Sequence, residues 1–187
     1  MDAKVDVSQT VLETKHLILR PWKKEDVNDF FEYASVRGVG EMAGWSHHET
    51  ISESEAILRM FIEHKKTFAV VLKANQKIIG SVGIESVKDH AGEELNDLKG
   101  REIGYVLSKD YWGKGLMAEA VRRVIDWCFH ELNYDFLLCG NFVENRQSAR
   151  VQQKAGFQPY RQIEYTTSSQ GIKKSEMRIL MNPKKEK

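Results

Sequence analysis

Apolar positions along this chain repeat with two periods, and the places where the period changes mark the expected elements. His16-Leu17-Ile18-Leu19-Arg20 reads as a first strand, closed by Pro21. Asp26 or a neighbour caps a short helix to Ala34, with Val27, Phe30 and Phe31 on one face. Ser52 and Glu55 have capping-box spacing, and Ile57, Leu58, Phe61 and Ile62 then recur as on a helix. Thr67 to Leu72 and Lys77 to Glu85 form a hairpin across Ala74-Asn75-Gln76, with Gly80 and Gly83 as bulge points. His90 to Gly100 is polar and reads as an exposed hairpin loop, and Arg101 to Ser108 is the next strand.

The clearest helix follows. Leu116, Ala120, Val121, Val124, Ile125, Cys128, Phe129 and Leu132 keep a 3.6-residue period, opposite Glu119, Arg122, Arg123 and Asp126. Asp135 to Gly140 is a strand. Asn145 to Ala155 is a short helix that Gly156 stops. Phe157 to Tyr165 and Lys173 to Met181 close the chain as a hairpin around Ser168-Ser169-Gln170-Gly171. A strand–helix–strand crossover among hairpins implies an α+β fold: a mixed, mostly antiparallel central sheet flanked by helices.

Composition narrows the function. A chain of 187 residues suits a single domain over 1–187, with a core of about 12–182 and short flexible ends. Its net charge of +1 gives no general pull toward nucleic acid or a membrane. Trp22, Trp45, Trp112 and Trp127 form no basic–aromatic array. The six histidines lack metal-ligand spacing, so no metal is expected. Cys128 and Cys139 sit in apolar runs and read as small buried hydrophobes in a reducing compartment. With no signal-peptide pattern and no run of membrane-spanning length, the expected location is cytoplasmic. Lys184-Lys185-Glu186-Lys187 reads as a solvated tail.

The candidate chemistry begins at Tyr111-Trp112-Gly113-Lys114-Gly115-Leu116-Met117-Ala118, between a strand and the strongest helix. A helix start offers unpaired N–H groups and partial positive charge, and glycines let an anion approach them. A second glycine-rich stretch, Gly38 to Gly44, has the look of a dinucleotide loop, which would predict NAD or ATP binding. No strand feeds it, and a mobile loop is the preferred reading.

Four features together resemble the GNAT superfamily of acetyl-CoA-dependent N-acetyltransferases, nearest its ribosomal-protein (Rim-type) branch. They are Leu17 to Trp22, Glu102-Ile103-Gly104-Tyr105, Tyr111 to Gly115, and Glu144 to Arg150 with Lys154-Ala155-Gly156-Phe157. The resemblance spans about 12–182 and implies the GNAT acyl-CoA N-acyltransferase fold. It implies transfer of an acetyl group from acetyl-CoA to a primary amine, a protein N-terminus or a small molecule, by direct attack in a ternary complex. Family members are often dimers, so a homodimer is a further implication. The chain departs from the superfamily pattern in three places: Trp112 stands for Gln or Arg, Met117 for a small residue, and Gln152 for a tyrosine acid.

By this resemblance the backbone of Gly113 to Ala118 holds the CoA pyrophosphate, Trp112 flanks it, and Lys114 either adds charge or faces solvent. Val106 and Ser108 offer backbone groups to the pantetheine arm, and an N–H near Val106 or Leu107 serves the oxyanion. Glu102 is the candidate base; its other reading is a surface carboxylate paired with a basic neighbour. Asn145 fixes a CoA amide or caps its helix, or both. Ser148 gives the departing sulfur a hydrogen bond or a proton. His47 and His48 either orient the acceptor, act as base, or sit exposed in their loop. An acyl-CoA-binding sensor without turnover is the alternative function.

Overall fold

A computed structural model describes residues 2–87, 90–167 and 170–185. Eight strands form one sheet: β1 (Leu12–Glu13), β2 (Leu17–Pro21), β3 (Thr67–Leu72), β4 (Ile78–Glu85), β5 (Gly100–Leu107), β6 (Phe136–Phe142), β7 (Gln158–Thr166) and β8 (Ile172–Met181). Their order is β1-β2-β3-β4-β5-β6-β8-β7. Among the eight strands described, β5 and β6 are the parallel pair, because a whole helix joins them. The helices are α1 (Val27–Ala34), α2 (Ile51–His64), α3 (Leu116–His130) and α4 (Arg146–Lys154).

Both faces of the sheet's centre are covered, so β3 reads as a continuous apolar run. Phe68 and Val70 meet Val121, Val124 and Cys128 of α3, while Ala69 and Val71 meet Phe30 of α1 and Leu58 of α2. Cys128 and Cys139 are both free and buried. Gly80 stands at the register shift opposite Val70 and Val71, where a Cβ would lie 2.3 Å from the Val106 carbonyl oxygen. Gly83 pairs in register with no shift, so only the first of the two expected bulge points is one.

Several local expectations shift. Residues 90–100 are not merely an exposed loop: a 3-10 turn at Glu93–Leu95 buries Leu95 with Val87, Phe136 and Leu138. The N-terminal segment, expected to be a flexible end, is packed. Val7 is buried, and the Lys4 carbonyl accepts the Tyr134 hydroxyl at 2.7 Å. Asp26 does not cap α1 with its side chain; its carboxylate takes both Arg20 guanidinium arms, at 2.7 and 2.8 Å. Lys185 of the expected tail pairs with Asp135, whereas Glu186 and Lys187 lie outside the described residues, as do Ser168 and Ser169 of the final turn.

Helix α2 starts two residues before the expected position. Thr50 is its N-cap, and the Thr50 and Glu53 side chains each accept the other's backbone N–H at 3.3 Å. The same spacing at Ser52 and Glu55 is left inside the helix. Thr50→Ala should therefore cost about 1 kcal/mol of stability, the usual value of such a cap. For a chain of this size that lowers Tm by roughly 2–4 °C in calorimetry, with activity unchanged.

Among the described residues, no helix is long and apolar enough to cross a membrane. No group of three or more His, Cys, Asp or Glu side chains there is placed to hold a metal.

Candidate active site

Strands β5 and β6 pair at only three positions, from Gly100↔Phe136 to Glu102↔Leu138, and then separate. β5 stays paired to β4 as far as Leu107. Its other edge is therefore open from Ile103 onward, and a cavity of about 550 Å³ opens along it. Ser108 donates its N–H to the Ile79 carbonyl at 2.7 Å, on the β4 side. Antiparallel alternation turns Val106 the same way and leaves Ile103, Tyr105 and Leu107 with backbone groups facing the gap. The backbone groups of Val106 and Ser108, expected to meet a pantetheine arm, thus face β4 and not the gap. The Leu107 carbonyl accepts the Trp112 indole N–H at 2.8 Å, which ties the following loop to the strand.

That loop enters α3 through two left-handed glycines, Gly113 at φ 76° and Gly115 at φ 78°. A Cβ added at either would meet nothing within 4 Å, so the backbone conformation and the open space call for glycine, not crowding. Gly115 is the N-cap and has no side chain to cap with. The first helical bond runs from the Glu119 N–H to the Gly115 carbonyl. The N–H groups of Leu116, Met117 and Ala118 therefore precede the helical ladder, and all three residues line the cavity. The Met117 side chain turns away into the core, so its bulk is absorbed there. Lys114 extends over the Tyr111 ring, 5.1 Å from its centroid.

Helix α4 closes one wall. Asn145 caps it, accepting the Ser148 N–H at 3.0 Å, and its amide donates to the Met42 carbonyl at 3.2 Å. Ser148 Oγ lies 2.8 Å from the Tyr105 hydroxyl, which is also 3.0 Å from the Ser148 carbonyl. Gln152 is fully buried and donates to the Gly140 carbonyl at 2.9 Å and to Ser148 Oγ at 3.4 Å. The sequence reading missed Tyr105 as a site residue, although it stands in the quoted strand motif. Arg150 and Lys154, also missed, bring positive charge to the same wall.

Glu102 sits three residues from Tyr105 on β5 and so faces the opposite side of the sheet. Among the described residues no Lys or Arg pairs with it; its Oε2 lies 2.6 Å from His90 Nδ1. His90 was missed because it opens a segment that reads as plain loop. Glu102 and Ser148 nonetheless line one cavity, because the gap between β5 and β6 joins the two faces.

The irregular segment 37–48 packs over the Glu102 side. The Gly44 Cβ position lies 3.0 Å from the Tyr165 ring and 3.4 Å from Phe142, which sets the loop against β7 and β6. Burial would raise the Glu41 pKa, but hydrogen bonds from the His47 ring and the Gly38 and His47 N–H groups outweigh it and hold it at about 2. The stability this clamp gives is present above the ordinary carboxylate pKa and is lost as pH falls toward 2. His48 is not exposed: it is buried against Phe30 and Trp45, 2.7 Å from Ser54 Oγ, and desolvation lowers its pKa. The Gly38 to Gly44 stretch forms a short turn with no strand before it, which is not the form of a dinucleotide loop.

Residues 16–158 match the family model described as the acetyltransferase (GNAT) domain. The chain belongs to this family. It is 30% identical over 158 residues to the protein of Bacillus subtilis (strain 168) named "Probable N-acetyltransferase YjcK", covering 79% of this chain and 83% of that one. Its fold matches a GNAT-family acetyltransferase from Bacillus anthracis with a TM-score of 0.79 at 18% identity, over 92% of this chain and 99% of that one. It also matches the ribosomal-protein-S5-alanine acetyltransferase of Vibrio fischeri, with a TM-score of 0.71 at 23% identity, over 94% and 98% of the two chains.

The protein is thus an N-acetyltransferase of the GNAT fold, and acetyl-CoA is the acyl donor of its family. Asn145 is seen in one of its two readings, the helix cap. Its side-chain oxygen caps α4 while its amide nitrogen faces the loop that roofs the cavity. The buried side chain of Gln152 is an amide and offers no acid.

Proposed function

We propose that the protein acetylates a primary amine by direct attack in a ternary complex, with acetyl-CoA on the α3–α4 side of the gap and the acceptor on the Glu102 side. The observation that carries this reading is the parting of β5 and β6 immediately after Glu102 and Leu138. It gives two ligands one meeting point without either crossing the sheet. The free N–H groups of Leu116, Met117 and Ala118, with Gly113 and Gly115 leaving room, suit a pyrophosphate at a helix N-terminus. Arg150 and Lys154 add charge of the right sign, and the open edge of β5 suits an extended pantetheine arm.

Glu102 takes the proton that the bound ammonium must lose before its nitrogen can attack. The nitrogen then bonds to the thioester carbon and releases its second proton to solvent, and the carbon–sulfur bond breaks. The Leu107 N–H faces the carbonyl oxygen as negative charge develops there. Ser148 donates a hydrogen bond to the departing sulfur, a good leaving group that takes its proton from solvent. Neither cysteine competes as a nucleophile, since burial pushes both thiols well above their ordinary pKa.

The acceptor is a protein N-terminus or a small amine. A mixed panel of peptides and small amines, incubated with acetyl-CoA and read by mass spectrometry, distinguishes these. Acetylated product on at least one amine is expected; tight CoA binding with no product on any would favour a sensor. Ser148→Ala should lower kcat about 20-fold, the scale of one charge-assisted hydrogen bond, with little change in CoA affinity. An effect confined to CoA affinity would make Ser148 a binding residue instead.

A further inference from the structure

We propose that Tyr105 is a positioning residue that turns the Ser148 hydroxyl hydrogen into the cavity, toward the departing sulfur. This rests on the reading of Ser148 given above. A serine hydroxyl has two acceptor lone pairs and one hydrogen. Gln152 Nε2 spends one hydrogen on the Gly140 carbonyl and directs the other at Ser148 Oγ. In this setting Gln152 Nε2 is a donor only. The Tyr105 hydroxyl, at 2.8 Å, is the second neighbour of Oγ. When Tyr105 donates to Oγ, both serine lone pairs are engaged from inside the protein. The serine's own hydrogen then has only the cavity to face.

The Tyr105 hydrogen has a second oxygen acceptor on the same residue, the Ser148 carbonyl at 3.0 Å; the Gln152 amide and the weakly accepting Cys139 sulfur also lie beside the hydroxyl. Donation there leaves Ser148 to hydrogen-bond back onto Tyr105 and points its hydrogen away from the cavity. Two arrangements of one hydrogen thus set two directions for the serine. Negative charge developing on sulfur favours the arrangement that aims the serine hydrogen at it. Tyr105 does not itself supply the proton: burial raises its pKa well above that of an ordinary phenol. The three side chains also span the gap where it opens, from β5 through α4 to the β6 carbonyl of Gly140.

The test is a double-mutant cycle on Tyr105→Phe and Ser148→Ala. Its readout is the single-turnover release of CoA thiol from acetyl-CoA. The acceptor is the fastest amine of the panel above, or water where no amine is faster. Tyr105→Phe should slow release about five- to tenfold, the worth of one hydrogen bond, with KM for acetyl-CoA unchanged. In the Ser148→Ala background the same change should have no further effect, because there is no hydroxyl left to aim. Independent, multiplicative losses would overturn the proposal, as would a Tyr105→Phe enzyme as fast as the parent. A rise in KM with a lowered Tm in both backgrounds would reduce Tyr105 to packing. If Ser148→Ala alone leaves release unchanged, the Ser148 reading fails and this one with it.

Discussion

Glu102→Gln is expected to lower kcat/KM about 100-fold at pH 6 and only a few-fold at pH 9. The size and the slope have one cause. An α-amine of pKa ~8 is about 1% uncharged at pH 6, and the uncharged fraction grows tenfold per pH unit until it saturates. An enzyme with a base beside the bound ammonium makes the free amine in place and escapes that slope. The Glu102→Gln enzyme must wait for amine already free in solution, so its rate climbs with pH and converges on the parent rate. Glutamine keeps the shape of the side chain and still offers His90 an oxygen, so the pair at 2.6 Å is not opened by loss of packing. A parallel pair of pH–rate profiles, displaced by a constant factor, would show that Glu102 positions the acceptor without taking its proton.

The Glu102–His90 pair also shows where the sequence stops being informative. Features written within one helix turn or one strand were legible. The apolar stripe of α3, the run of β3, and the glycines at 113 and 115 act through their own backbone or face. Where two local signals overlap, as Thr50 with Glu53 and Ser52 with Glu55, the pattern does not choose. Burial of Ser54 beneath His48 accompanies the earlier start. The site's polar pairs are different in kind. Tyr105 and Ser148 are 43 residues apart, and His90 and Glu102 are 12 apart on separate elements. Nothing in the local composition of either partner announces the other. The shift from Val106 and Ser108 to Ile103, Tyr105 and Leu107 is a matter of strand parity, which the pairing with β4 settles.

Gly115→Glu should abolish measurable CoA binding in calorimetric titration while leaving the protein folded. The structure separates the two effects. A Cβ at Gly115 meets no protein atom within 4 Å, so the new side chain displaces nothing when CoA is absent. Its backbone cost is that of a non-glycine residue at φ 78°, about 1–2 kcal/mol. A carboxylate at the start of a 15-residue helix offsets part of that through the helix dipole. The same carboxylate takes the place the pyrophosphate needs and repels it. Losing two charge-assisted hydrogen bonds of about 1.5–3 kcal/mol each weakens CoA by roughly 10²–10⁴-fold before repulsion is added. Gly115→Ala is the control: it carries the backbone strain without the charge. It should lower Tm by a few degrees and keep CoA affinity within about tenfold of the parent. If alanine abolishes binding as completely as glutamate does, the left-handed turn itself is what the ligand requires. If the glutamate variant binds CoA as the parent does, the anion is held elsewhere than at the α3 N-terminus.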